Sequence, residues 1–381
     1  MKEAGKGPAV LRLNNEKRVL RYLRQQRVTT RQDISLALAL SKNTVSLIID
    51  DLMAQDQVYA LGPVSVTAAG RPKIEISLRP EKRKAAGIMV EHQQVHLMVC
   101  DYFSTVLEEK SWQTDTVEPP RLLAELATAC EALTQRHPEL MGIGLGFPGI
   151  VDPQKGYLHL SSHLGWRDVD IQAAFAECRC APVKVMNYVK AAALLSRQMA
   201  DFSVGDSCFY LRVGEGTGGA LLRGSEIFTG SSWTAGEAGH LTVADGPLCR
   251  CGQRGCLEAL ISIPAIHRQL AARQAGLRWQ TRAQAPELVE EVMAQAGWHL
   301  GKALSQIMLL LNPATIVIDS PWNLSAAFRA QALDNARQHA LGFTFHHTQI
   351  HFPADPLAPP LGLALAVIEQ SEQASLLTSP S

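Results

Sequence analysis

The segment EAGHLTVADGPLCRCGQRGCLE, residues 237–258, places one histidine and three cysteines close together in a chain that has only 8 cysteines. His240, Cys249, Cys251 and Cys256 offer one imidazole and three thiolates, which is the ligand set of a closed tetrahedral zinc site. The Cys249-x-Cys251 spacing is tighter than the usual C-x2-C, but two intervening glycines let the backbone turn sharply between ligands. A redox pair and inert buried thiols are the alternatives. The pattern favours a structural zinc ion that braces a loop, because protein would take all four coordination positions.

Two glutamates lie within the same segment. Glu237 precedes His240 by three residues and Glu258 follows Cys256 by two, so the metal would fix the chain that carries both carboxylates. Each carboxylate can accept hydrogen bonds from two adjacent hydroxyl groups, which suits a polyhydroxyl ligand such as a sugar. Solvated loop residues are the alternative interpretation.

The composition predicts a protein of several domains. With 381 residues, 46% of them hydrophobic, the chain is too long for one ordinary domain, and two or three are expected. The beginning of the sequence lacks the apolar core of a signal peptide, and no run approaches the roughly 18 apolar residues of a membrane-spanning helix. We therefore expect a cytoplasmic protein without membrane insertion, in a compartment where disulfides are disfavoured.

The formal net charge of zero hides an asymmetry between the two ends of the chain. Residues 1–84 carry a net charge of +8 and the remainder carries −8. Such a division indicates that the basic end meets a polyanion. A basic surface with no partner is the alternative.

The basic end has the pattern of a helix-turn-helix. Thr30 with Asp33, and Ser41 with Thr44, are start signals for two successive helices. Apolar residues at helical spacing mark the faces that we expect to be buried: Val19, Leu20, Leu23, Ile34, Ala37, Leu38, Val45, Ile48, Ile49 and Leu52.

A predicted β-hairpin follows the two helices. Val58 and Tyr59 precede a turn-rich stretch, and Ile74, Ile76 and Leu78 alternate after it, which indicates a wing. In such domains the first turn of the second helix exposes polar side chains to base edges, and a basic wing tip can enter the minor groove. The residues that we expect to contact DNA are Arg31, Ser41, Lys42, Asn43, Thr44, Ser46 and, at the wing tip, Arg71.

After a charged stretch at residues 79–84, which we interpret as a linker, strand and helix patterns alternate. This alternation predicts α/β units arranged in two blocks. We therefore place a winged helix-turn-helix domain at residues 1–80 and a two-lobed α/β domain at residues 81–381, with the zinc-braced loop at 237–258.

These segments together resemble the ROK family, which groups repressors, open reading frames and sugar kinases. The N-terminal helices are similar to the DNA-binding domain of its transcriptional-regulator branch. The resemblance rests on EAGH at 237–240, CRCGQRGCLE at 249–258, GFPGIVD at 146–152, GEGTGGALLRG at 214–224, NPATIVI at 312–318 and LSKNTVS at 40–46.

The resemblance implies a bilobed actin-like ATPase fold, a structural zinc ion and a sugar in the cleft. It makes His240, Cys249, Cys251 and Cys256 the zinc ligands and leaves the second nitrogen of His240 for a sugar hydroxyl. The residues that it places at the sugar are His163, Asn187, Glu237, His240 and Glu258. His163 stands near the place where the family often has an asparagine, which leaves a sugar phosphate open as an effector.

The chain departs from the kinase members of the family where phosphoryl transfer takes place. NYVK at 187–190 puts Tyr188 where the kinases have their catalytic aspartate, and Met89 to Gln93 replace the phosphate-binding D-x-G-G-T. Glu215 replaces a threonine, and Asp319-Ser320 stands in place of a glycine pair. A phenol with a pKa of roughly 10 is a poor base at neutral pH. We therefore expect no kinase activity.

The resulting prediction is a sequence-specific transcriptional regulator, in the first place a repressor, of genes for carbohydrate metabolism. A homodimer or tetramer would bind double-stranded operator DNA, and a sugar or sugar phosphate would shift the closure of the lobes. Control by a protein partner is also compatible with the sequence. The alternatives are a sugar kinase with a DNA-binding head and a zinc-braced scaffold without sugar affinity.

Overall fold

The structure, a computed structural model, describes residues 7–63, 73–198, 206–224 and 226–373. An N-terminal head is followed by two α/β lobes. Within these ranges no helix is long and apolar enough to span a membrane.

The head is a winged helix-turn-helix. Both predicted helix caps form, because the hydroxyl of Thr30 accepts from Asp33 N at 3.3 Å and that of Ser41 accepts from Thr44 N at 3.0 Å. The three strands of the head form a sheet of order β1-β3-β2. The elements are α1 (Pro8–Gln26), β1 (Val28–Thr30), α2 (Arg31–Leu38), α3 (Lys42–Ala54), β2 (Val58–Pro63) and β3 (Ile74–Leu78).

Most of the predicted apolar face of the head is buried. Ala37 is an exception: it is exposed, and Leu38 is only partly buried. The expectation of an inward-facing Ala37 was wrong: Ile34 is the one buried residue of the eight-residue α2, and Leu38 packs partly against the core of the head, so Ala37 lies on the side of the helix that faces solvent. Ile74, at the start of β3, is also 54% exposed.

The first lobe contains a five-stranded sheet of order β11-β7-β4-β5-β6. Strands β4, β5 and β6 are antiparallel neighbours, whereas β7 and β11 are added in parallel. The elements are β4 (Lys84–Glu91), β5 (Gln94–Asp101), β6 (Val106–Gln113), α4 (Pro119–Arg136), β7 (Leu140–Phe147), β8 (Ile150–Asp152), β9 (Tyr157–Ser161), β10 (Trp166–Asp170), α5 (Ile171–Ala174), β11 (Val183–Asn187) and α6 (Tyr188–Ala192).

The second lobe repeats this pattern with the strand order β14-β13-β12-β15-β16. Strands β12 to β14 are antiparallel, and β15 and β16 are parallel to β12. The doubled sheet is the predicted bilobed actin-like fold. The elements are β12 (Ser207–Val213), β13 (Thr217–Arg223), β14 (Glu226–Phe228), α7 (Leu257–Ile261), α8 (Ile263–Arg273), α9 (Pro286–Leu311), β15 (Thr315–Asp319), α10 (Ala326–His339), α11 (Gly342–His347), β16 (Gln349–His351) and α12 (Pro359–Ser371).

Helix α12 returns to the first lobe and packs directly on its sheet. Glycines in β4 and β7 make this close approach necessary: a Cβ at Gly87 would lie 1.8 Å from the carbonyl oxygen of Pro360. A Cβ at Gly144 would lie 2.7 Å from the carbonyl oxygen of Leu363. Larger residues at these positions would push the helix away from the sheet.

The head and the first lobe share one apolar core. The segment predicted as a linker forms a short 3-10 turn, and the Arg79 side chain donates to Asp56 Oδ1 at 2.8 Å. The first-lobe and α12 residues that complete the core of the head are Ala85, Cys100, Tyr102, Ala364, Val367 and Ile368. The domain boundary at residue 80 stays a prediction, but packing continues across it.

A buried ion pair lies at the same joint. Arg24 of α1 donates to both carboxylate oxygens of Glu372, at 2.6 and 2.9 Å, and Glu372 is only 3% exposed. The Tyr102 hydroxyl donates to Glu372 at 2.8 Å. The end of α12 therefore connects the head to the first lobe by specific hydrogen bonds as well as by apolar contact.

Candidate functional site

A cavity of about 630 Å³ lies between the two lobes. It is lined by the ends of strands of both lobes and by the loop that precedes α7. All of the predicted sugar-binding residues line it: His163, Asn187, Glu237, His240 and Glu258.

The four predicted metal ligands converge at one edge of this cavity. Their ligand atoms all lie within 4.8 Å of one another. Cys249 Sγ is 3.7 Å from His240 Nδ1, and Cys251 Sγ is 3.6 Å from Cys256 Sγ. Zinc bonds of about 2.3 Å to sulfur and 2.0 Å to nitrogen, at tetrahedral angles, put two ligands roughly 3.5 to 3.8 Å apart. The donor set and its spacing therefore fit a zinc ion.

Backbone geometry explains why these ligands meet. Gly252 and Gly255 have φ values of +91° and +71°, a conformation that other residues rarely adopt. A Cβ on Gly255 would lie 1.6 Å from the carbonyl oxygen of Ala244. Burial raises the pKa of the Cys256 thiol to about 12. A divalent cation reverses this preference for the protonated form, because it stabilises the thiolate directly.

The two glutamates enter the cavity from either side of the metal loop. Glu258 lies in the first turn of α7, is 8% exposed and accepts a hydrogen bond from Thr217 N at 2.8 Å. Glu237 lies just before a 3-10 turn that ends at His240, and burial raises its pKa. Lys190 and His240 oppose this rise in pKa through their charge. The hydrogen bond from Thr217 fixes the Glu258 carboxylate, whereas Glu237 is positioned by the backbone turn that leads to His240.

Two buried polar atoms at the cavity have no hydrogen-bond partner among the described residues. They are His163 Nε2 and Thr217 Oγ1. Burial lowers the pKa of His163, which favours a neutral imidazole at pH 7. Buried polar groups without partners are costly, so both atoms are candidate contacts for a hydroxyl group of a ligand. The sequence alone did not identify Thr217 as a site residue, because it is one position of the glycine-rich segment at 214–224.

The side-chain amide of Asn187 already makes two hydrogen bonds within the protein, so it has fewer groups available for a sugar than the family resemblance implied. Its Oδ1 accepts from Lys190 N at 3.0 Å as the N-cap of α6, and its Nδ2 donates to the carbonyl oxygen of Gly149 at 2.8 Å. One amide hydrogen is left for a ligand. The contact of Asn187 with a sugar stays a prediction, and Asn187 would make it by donating this one hydrogen.

Tyr188 lies at the inner end of the cavity, where its phenol is buried. Burial raises the pKa of this phenol above its usual value. Glu91 ends β4 and lies 3.7 Å from His96, and a tight turn of two residues connects it to β5. The turn that would face phosphate in a kinase is therefore a short hairpin that begins with an acidic residue.

An ion pair that sequence analysis missed lies close to Tyr188. Arg212 and Asp319 are register partners at the ends of the parallel strands β12 and β15. Asp319 Oδ2 accepts from Arg212 Nη1 at 2.5 Å and from the Tyr210 hydroxyl at 2.6 Å, and Asp319 is 1% exposed. The signal in the sequence was that Arg212 is the one charged residue in the otherwise apolar run CFYLRV, residues 208–213.

The start of α3 presents a smaller polar surface than predicted. The hydroxyls of Ser41 and Thr44 bond each other at 2.8 Å, and Ser41 also caps the helix. Arg31 pairs with Asp50 Oδ1 at 2.7 Å. Lys42 and Asn43 are exposed, and Ser46 is partly buried. Arg71 lies outside the described residues.

An apolar residue completes this exposed face. Leu47, one turn after Asn43, is 55% exposed in the middle of the helix. Leu47 was not selected from the sequence, although its position off the apolar stripe of Val45, Ile48, Ile49 and Leu52 was the signal that it faces solvent.

The doubled sheet, the interlobe cavity and the Cys/His loop define a sugar-kinase-like protein of actin fold that carries a winged helix-turn-helix head. A model of the ROK family matches residues 85–351, and the chain belongs to this family.

Several relatives are named as repressors. The xylose repressor of Bacillus subtilis is 24% identical over 80% of this chain and 81% of its own length. The transcriptional dual regulator NagC of Escherichia coli is 26% identical over 80% of this chain and 79% of its own length.

Solved structures share the fold. A ROK family transcriptional regulator, described as a homologue of the E. coli MLC protein, superimposes with a TM-score of 0.80 at 20% identity and covers 95% of this chain and 97% of its own. A ROK glucokinase from Streptomyces griseus, solved with glucose and AMPPNP, gives a TM-score of 0.65 at 19% identity and covers 74% of this chain and 98% of its own. The regulator thus matches the head as well as the lobes.

Proposed function

We propose that this chain is a sequence-specific DNA-binding transcriptional repressor of genes for carbohydrate metabolism, controlled by a sugar or sugar phosphate bound between the lobes. The observation that carries this proposal is the presence, in one chain with a shared core, of a winged helix-turn-helix and a zinc-type loop that holds two carboxylates in a cavity. The repressor names of relatives that match about 80% of the chain agree with it.

The head reads DNA through the free face of α3. Lys42 contacts phosphate, whereas Asn43 and Leu47 contact base edges, because these exposed side chains are not engaged in the helix cap. Arg71 at the wing adds a minor-groove contact. Two copies of the chain bind a palindromic operator as a homodimer, alone or within a tetramer.

The effector binds beside the zinc site. His240, Cys249, Cys251 and Cys256 would hold the zinc ion, which would leave the second ring nitrogen of His240 for a ligand hydroxyl. Glu237 and Glu258 accept hydrogen bonds from adjacent hydroxyls. His163 and Thr217 supply the buried atoms that lack partners. A ligand that prefers one degree of lobe closure shifts the population of that state and so controls the head.

The cavity binds without transferring phosphate. Tyr188 offers a buried phenol whose raised pKa keeps it protonated at neutral pH, so it cannot accept the proton of a sugar hydroxyl as a carboxylate can. Glu91 repels phosphate, and the Arg212–Asp319 pair occupies the strand ends where a kinase needs glycine backbone.

Thermal-shift measurements with a panel of sugars and sugar phosphates test this function. We expect one compound to raise the melting temperature of the wild type and to change its affinity for an operator selected from random duplexes. The Glu237→Ala variant should lose the shift and retain DNA binding. Robust ADP formation from ATP and a sugar, abolished by Glu237→Ala, would establish a kinase instead. No shift with any carbohydrate would indicate a scaffold.

A further inference from the structure

A second pair of cysteines lies in the first lobe, on the turn between α5 and β11. Cys178 and Cys180 are both partly buried, and their Sγ atoms are 2.7 Å apart. The sulfur–sulfur bond of a disulfide is roughly 2.05 Å long, so less than about 1 Å of movement separates the two thiols from a covalent link. The proposed contacts with DNA and with the effector do not involve these two cysteines.

Helix α4 holds the turn that carries this pair. Arg179 N donates to Glu131 Oε1 at 2.9 Å, and Ala181 N donates to Thr134 Oγ1 at 2.9 Å. These bonds fix the backbone immediately after each cysteine. The two sulfurs therefore cannot move apart by rearrangement of the turn unless the contacts with α4 break.

The remaining cysteines outside the metal loop are closed to reagents in solution. Each is 0% exposed: Cys100, Cys130 and Cys208. Cys130, a residue of α4, lies near the pair, but its side chain belongs to the buried core of the first lobe. Outside the metal loop, whose Cys251 is exposed, oxidation of accessible thiols is therefore directed to the pair on the turn.

We propose that Cys178 and Cys180 form a reversible disulfide by exchange with low-molecular-weight disulfides such as oxidised glutathione. The Cys180 thiolate attacks one sulfur of that disulfide, which forms a mixed disulfide and releases one thiolate. The Cys178 thiol then loses its proton to water and attacks the Cys180 sulfur, which closes the internal bond and releases the second thiolate. Two protein thiols are oxidised, and one small disulfide is reduced to two thiols.

The order of attack follows from the surroundings of the two sulfurs. Burial raises the pKa of the Cys178 thiol to about 12. A thiol with so high a pKa is a poor first nucleophile at neutral pH, whereas in the second step its target is already held beside it. In a reducing compartment, disulfides of this kind are transient and serve to sense oxidants.

Peptide mapping of the full-length, zinc-loaded protein tests the proposal. The protein is incubated with oxidised glutathione, quenched with acid, alkylated and digested with trypsin, which cuts after Arg179. We expect the oxidised protein to give two peptides joined through Cys178 and Cys180, and dithiothreitol to restore two separate alkylated peptides. Recovery of separate alkylated peptides after prolonged oxidation, with no reduced glutathione present, would overturn the proposal.

Serine variants identify the partners. Cys130→Ser should leave the joined peptides unchanged, whereas Cys178→Ser should stop at a glutathione adduct on Cys180. A bond from either residue to Cys130 would contradict the assignment. If a variant fails to fold, the peptide map of the wild-type protein still decides whether Cys178 and Cys180 are linked.

Discussion

At the scale of single residues, hydrogen-bond partners separate the residues that are free to bind from those that are occupied. Ser41 and Thr44 satisfy each other at the cap of α3, whereas His163 Nε2 and Thr217 Oγ1 are buried without partners. Since an unsatisfied buried polar atom costs about 1 to 3 kcal/mol, we expect these two atoms to contact the ligand.

Leu47 is expected to read thymine methyl groups. Replacement of thymine by uracil at the contacted position of a selected operator removes one methyl, which should weaken wild-type binding by about 0.8 kcal/mol, or roughly fourfold in Kd. Leu47→Ala should bind both operators equally, as measured by fluorescence anisotropy. Leu36→Ala, which changes a 72% exposed leucine on α2, is the control and should keep the preference. Equal loss of preference in both variants would rule out a specific contact.

Cys256 is expected to hold zinc. Cys256→Ser should lose most of the bound metal and melt at a lower temperature, because a buried thiolate ligand is removed. Elemental analysis and thermal melting measure these effects. Cys208→Ser removes an equally buried thiol outside the metal loop and should retain zinc. Wild-type protein without zinc after gentle purification would contradict the metal assignment.

His299 is expected to make stability depend on pH. Burial lowers its pKa in the folded state, so below about pH 6.5 the unfolded chain binds a proton that the folded chain does not. Stability is therefore fully present above this pH and decreases as the pH falls toward the folded pKa. Urea unfolding between about pH 7.5 and 5.5 should show a smaller decrease for His299→Gln than for the wild type. His92→Gln, on an exposed turn, should not change the decrease.

At the scale of elements, α12 joins parts of the protein that the chain order separates. Its first turns lie on the glycines of β4 and β7, and the residue after its end binds Arg24 of the head. The ion pair lies in a buried setting, where loss of Glu372 would leave Arg24 with only the longer contact to Glu369, at 3.8 Å.

Glu372→Ala is expected to destabilise the protein by about 2 to 3 kcal/mol, because the buried Arg24 guanidinium would lose two hydrogen bonds and keep only the longer contact, 3.8 Å, with Glu369. Glu291→Ala is the matched control, since this carboxylate also pairs with an arginine but its side chain is 72% exposed. We expect the control to cost at most about 1 kcal/mol in urea unfolding. Similar costs for the two variants would show that the joint does not depend on the buried pair.

At the scale of the whole molecule, the head and the first lobe form one packed body. Side chains of α12 complete the core of the head, while the second lobe has a separate core that includes Ile316. A defect in α12 should therefore disturb the packing of the head, although α12 begins 281 residues after β3 ends.

Ile368→Ala is expected to accelerate hydrogen exchange in α3 of the head. Both Ile368 and Ile316 are 0% exposed, so Ile316→Ala removes the same atoms from the other core. Each change should cost about 2 to 5 kcal/mol, but only Ile368→Ala should loosen the head. Mass spectrometry of exchange in both variants measures this difference. Equal protection of α3 in the two variants would show that the head is independent.

The local pattern of the sequence determined the helix caps of the head, the strand alternation and the family motifs. Thr30, Ser41 and the Cys/His segment were identified because such signals act between residues close in the chain, where spacing alone sets the geometry. The fold class and the convergence of the predicted effector residues on one cavity followed from the family resemblance.

Long-range packing determines which of these residues are free to act and what surrounds them. Arg212 with Asp319, Arg24 with Glu372 and the unpartnered Thr217 hydroxyl depend on contacts between segments far apart in the chain. Burial and pairing are properties of the packed molecule, because a side chain loses water only when distant elements cover it.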